Sequence, residues 1–133
     1  MEIGFEVCVH HGFDEAVEHV IAALKSEGFG VLTRIDIHKV MKEKLGEEFR
    51  SYVILGACNP TLSYKALTTD PTVGLMLPCN VTVEADPNGD SLVRIVNPEA
   101  MMKVGELEGN PIVQEVATEA RLKLERVAEA LLE

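Results

Sequence analysis

The chain has only three cysteines, Cys8, Cys58 and Cys79, and no C-x-x-C pair. An odd set without that spacing makes neither a disulfide framework nor a recognisable zinc motif, so reduced thiols are expected. Basic residues are also scarce. Twelve Lys and Arg are dispersed among twenty-two Asp and Glu, giving a formal net charge of −10. A polyanion approaching such a surface is repelled, which weighs against nucleic acid and anionic membranes as partners. No stretch approaches the roughly 20 apolar residues of a membrane span, and the start Met1-Glu2-Ile3-Gly4-Phe5-Glu6 lacks the basic region of a signal peptide. A cytoplasmic location is the expectation. G-x-G-x-x-G, phosphate-loop, G-x-S-x-G and H-E-x-x-H patterns are all missing, so nucleotide enzymes and the common hydrolases have no foothold.

What is present suits one self-sufficient domain over residues 1–133. Hydrophobic residues reach 47% and charged ones 26%, without low-complexity tracts, enough to bury a core without metal or disulfide staples. Ile3, Phe5, Val7 and Val9 alternate with polar neighbours at the period of a strand with one buried face. Phe13, Val17, Ile21 and Leu24 line one side of a helix that Gly28 is placed to end. Val31 to Ile35 reads as a short strand, and Asp36 offers a side-chain cap to a helix carrying Ile37, Val40, Met41 and Leu45.

Tyr52 to Ala57 suits an interior strand, and Asn59-Pro60 then supplies a cap followed by proline in the first helical turn. Asp70-Pro71 breaks that helix, and the next strand begins after Pro78. Pro87-Asn88-Gly89-Asp90 is a turn, with Leu92 to Val96 as the returning strand of a hairpin. Asn97-Pro98 opens a short helix. Asn110-Pro111 opens a long one, striped by Ile112, Val116, Ala120, Leu124, Val127 and Leu131. The layout predicts an α+β fold, a mainly antiparallel sheet with helices packed on one face.

Gly56-Ala57-Cys58-Asn59-Pro60, Lys65-Ala66-Leu67 and Leu77-Pro78-Cys79-Asn80-Val81 form a connected set of motifs. Gly28-Phe29, Asp36, Leu45-Gly46 and Asn97-Pro98-Glu99-Ala100-Met101-Met102 add to it. On these residues, from roughly Ile3 to Met102, the chain resembles the family designated domain of unknown function 302. The resemblance implies a fold similar to the TATA-box-binding-protein-like α+β group and assembly as a homodimer. It supplies no catalytic residue and no cofactor, and fold alone does not give function.

Cys58 precedes a helix start, where free N–H groups and the positive dipole end can favour a thiolate or a bound anion. It is a candidate nucleophile, redox thiol or soft-metal ligand, or else a small core residue at a strand end. Cys79 shares strand parity with Val81 and Val83 and so points to the core, unless it meets Cys58 in a two-thiol site lined by Asn59 and Asn80. Two thiols do not complete a zinc sphere, no histidine stands at a motif-like spacing from either, and no metal site is assigned. Lys65 can neutralise an anion near the helix start or lie solvated over apolar neighbours. His10 and His11 fall in a loop, where exposure is the ordinary outcome and metal binding the alternative.

Three functions remain open at this stage. The leading one is a homodimeric domain that binds a small ligand near Cys58, Asn59, Lys65, Cys79 and Asn80. A second is a thiol-dependent enzyme, redox protein or sulfur carrier using Cys58, with Cys79 as resolving thiol. The third is an interaction module without chemistry, whose long C-terminal helix packs on a partner.

Overall fold

Five strands run in the order β1-β5-β4-β3-β2, every neighbouring pair antiparallel. They are β1 (Gly4–Val9), β2 (Gly30–Asp36), β3 (Tyr52–Cys58), β4 (Cys79–Ala85) and β5 (Ser91–Val96). The helices are α1 (Phe13–Ser26), α2 (Ile37–Leu45), α3 (Pro60–Thr69), α4 (Pro98–Met101) and α5 (Pro111–Leu131), with 3-10 helices over Pro71–Met76 and Gly105–Gly109. This computed structural model describes residues 1–132. It bears out the α+β expectation, and no helix among the described residues is long and apolar enough to cross a membrane.

The two-residue period decides which side of the sheet is buried. Val7, Val93, Val83 and Val53 form one rung across four strands, and Ile95, Val81 and Leu55 form the next. All seven are buried, under α1 and α5. The opposite face holds the rung Glu6, Arg94, Thr82, Ile54 and Ile35, of which Glu6, Arg94 and Ile35 are exposed. One face is covered and the other open.

Local signals set most element ends. Asn59 accepts from the Leu62 N–H, Asn97 from Glu99, Asn110 from Ile112 and Val113, and Asp70 from Thr72. Each is followed by proline, whose missing N–H costs nothing in the first turn. Gly28 (φ +83°) and Gly46 (φ +68°) close α1 and α2 in the left-handed region.

The structure corrects several details. Asp36 stands at the start of α2 but makes no side-chain cap, because its carboxylate takes Arg34 Nη2 at 3.2 Å. Ile3 lies before β1 and is exposed. Along α5 the buried stripe begins at Val113, while Ile112 is turned outward. That stripe is consumed inside the chain against α1, α3, α4 and β1, so it offers no large free surface to a partner.

Candidate functional site

Three of the five candidate residues meet where β3 runs into α3. In register, Ala57 of β3 stands opposite Cys79 of β4, and Cys58 follows one residue on. Cys58 and Cys79 line a common cavity of about 30 Å³ with Asn59, Phe29, Leu62 and Met102. That volume holds about one water molecule, against the roughly 300 Å³ or more of an ordinary ligand pocket.

The two thiols differ. Cys58 is half-buried, and its Sγ lies 3.0 Å from Ser63 Oγ, one turn into α3. Cys79 is likewise half-buried, and its pKa is pushed up to about 11. Burial is the larger cause, because desolvation penalises the thiolate, and the nearby Cys58 charge adds to it. Cys79 is therefore protonated at neutral pH.

Asn59 is occupied structurally. Its Oδ1 accepts from Leu62 N–H at 3.2 Å, and its Nδ2 donates to the Glu27 carbonyl at 3.4 Å, tying α3 to the end of α1. Lys65 does not join the thiols. It reaches outward to Glu115 of α5 at 3.0 Å, with both side chains at least half exposed. Asn80 falls on the open face, opposite Gly56, and is exposed. Strand parity alone separates it from Cys79. Sequence reasoning missed Ser63, although its position five residues after Cys58 and one turn into the capped helix was a usable signal.

The sequence profile described as Domain of unknown function DUF302 matches residues 5–131. The chain belongs to the DUF302 family. A crystal structure of an uncharacterized conserved DUF302 protein from Bacillus stearothermophilus matches it with a TM-score of 0.85 at 28% identity, over 98% of each chain. No curated protein matches the chain. Several of the residues that carry the DUF302 resemblance have plain structural work. Gly28 faces Asn59, Gly56 leaves room for Pro78, and Asn59 and Asn97 cap helices. The thiols of Cys58 and Cys79 are not needed for any of these tasks.

Proposed function

We propose that this DUF302 domain is a thiol protein whose small ligand is a sulfur compound, taken up covalently at Cys58 in a reducing, cytoplasmic setting. The observation that carries the reading is the unlike pair of thiols on one cavity at the start of a capped helix. The Cys58 thiolate attacks one sulfur of a disulfide R–S–S–R′ and expels R′S⁻, leaving a mixed disulfide. Cys79 then loses its proton and attacks Cys58 Sγ, expelling RS⁻ and closing an internal disulfide. The chain gives up two electrons and two protons, and the substrate becomes two thiols. Shielding Cys79 in an apolar lining keeps it protonated until Cys58 is engaged.

The test is glutathione disulfide added to the folded protein carrying Cys8→Ser, read by peptide mass spectrometry. A Cys58–Cys79 disulfide is expected, with Cys79→Ser instead trapping glutathione on Cys58. If Cys58 stays inert until the chain is unfolded, the thiol reading is wrong and the pair is core packing.

A second reading concerns assembly. The open sheet face carries Ile35, 45% exposed, beside half-buried Ile54, Tyr52 and Leu92, and Leu32, 68% exposed, stands unpaired at the bulge of the same edge strand. This amphipathic surface suits a second copy of the chain. Sedimentation is expected to give a homodimer that Leu32→Lys with Ile35→Lys separates; a monomer at tens of micromolar would dismiss it.

A further inference from the structure

Two histidines outside the thiol site converge on one carboxylate. His11 ends the turn after β1, and Glu15 and His19 follow at one-turn intervals on α1. His11 Nδ1 lies 3.3 Å from Glu15 Oε1, and His19 Nε2 lies 3.7 Å from the same oxygen. The imidazoles stack, centroids 4.3 Å apart and planes 14° from parallel. Good N–H···O bonds span about 2.7–3.2 Å, so neither nitrogen is properly hydrogen-bonded to the carboxylate. By contrast, His10 Nδ1 meets Asp90 Oδ2 at 3.1 Å.

We propose that His11, Glu15 and His19 bind one divalent transition-metal ion of the zinc class. At metal–ligand lengths of about 2.0–2.2 Å, a tetrahedral ion holds neighbouring ligand atoms about 3.3–3.6 Å apart. The two separations to Glu15 Oε1 lie at or within a few tenths of an ångström of that range, and all three ligand atoms fall within 4.8 Å of one another. Two imidazoles and a carboxylate are a donor set suited to zinc or its neighbours rather than to calcium or magnesium, which favour oxygen.

The scaffold fixes the backbone positions of the three residues, and the partly exposed imidazoles turn out of their stack to bring their in-plane lone pairs onto one ion. The His11 N–H donates to the Val9 carbonyl at 2.9 Å, and the His11 carbonyl accepts from Ser91 Oγ at 2.8 Å. Ser91 is fully buried, which fixes the turn. Ala16, Val17 and Val20 are buried on α1 and fix its rotation, so Glu15 and His19 stay on the side that meets His11. The net charge of −10 draws cations to the surface.

Three protein ligands leave a coordination position open. His11 and His19 also line a recess of about 280 Å³ against the end of α5, with Val9, Ala22, Ala130 and Leu131. A water or a small anion entering this recess reaches the ion. The recess is roughly ten times larger than the cavity at the thiols.

The experiment uses the full chain without a histidine tag, titrated calorimetrically with Zn²⁺ and spectroscopically with Co²⁺. One ion per chain is expected, and the Co²⁺ form lacks a thiolate charge-transfer band. His11→Ala, His19→Ala and Glu15→Gln each weaken binding at least tenfold, the circular dichroism confirming that α1 remains folded. Cys58→Ser, Cys79→Ser and His10→Ala leave it unchanged. Absence of binding, or binding that survives loss of both His11 and His19, overturns the proposal. Binding abolished by the cysteine variants overturns it too while leaving the thiol reading standing, whereas an inert Cys58 leaves the metal site untouched.

Discussion

A methyl group at position 56 would lie 2.1 Å from Thr33 Oγ1 and 2.7 Å from Pro78 Cγ, far inside van der Waals contact. Gly56 thus lets β3 pass close to both neighbours on the open face, where it pairs with Thr33 and Asn80. The Thr33 hydroxyl can rotate away, but the Pro78 ring is held by the chain on both sides. Gly56→Ala is expected to destabilise by about 1–3 kcal/mol, the usual range for overpacking. The urea midpoint measures it, and Thr33→Ala in the same chain should recover only part of the loss. A neutral Gly56→Ala would mean that Pro78 moves freely. Because Pro78 leads into Cys79, the same substitution should also disturb the thiol pair.

Among the elements, what could be read in advance was what local chemistry decides. Asn59, Asp70, Asn97 and Asn110 each bond a backbone N–H two or three residues ahead, so Asn-Pro named three helix starts without knowledge of the rest, while Asp70-Pro71, read only as a helix break, also caps the 3-10 helix that follows. Asp36 misled because a competitor sits two residues behind it: Arg34 takes the carboxylate that would have capped α2. The phase of α5 slipped by one position at its start, since Ile112 and Val113 are equally apolar and only packing chooses Val113. The 3-10 helices over Pro71–Met76 and Gly105–Gly109 are too short to leave a period. The histidine cluster went unread, although His11, Glu15 and His19 stand four apart in the sequence. It gains meaning only once the turn before α1 brings His11 over the helix, and that turn depends on buried Ser91 of a distant strand.

At the scale of the whole molecule, the sheet divides the chemistry. The helical side buries hydrocarbon and half-buries the thiol pair, while the open side gathers charge, with Glu84 between Arg50 and Arg94 and Arg94 also meeting Glu6 at 3.0 Å. Glu84 is only 5% exposed. Burial by itself would raise its pKa, but hydrogen bonds from Arg50 and Arg94, reinforced by their charges, hold it below the ordinary 4.5. A carboxyl more acidic in the folded chain than in the unfolded one adds stability that is complete above the unfolded value and lost as pH falls through the folded one. Glu84→Gln should therefore cost about 1–3 kcal/mol at neutral pH, where two half-exposed guanidinium groups lose their shared anion. The difference between the two proteins should shrink as the pH drops below about 4.5, because the unfolded wild-type chain then takes up a proton that the folded Glu84 resists until the pH falls through its own lower value. Urea midpoints of both proteins between neutral and about pH 3 provide the measurement. A gap that stays constant over that interval would mean that the arginines do not sustain the Glu84 charge, and that the polar side of the sheet owes its order to packing alone.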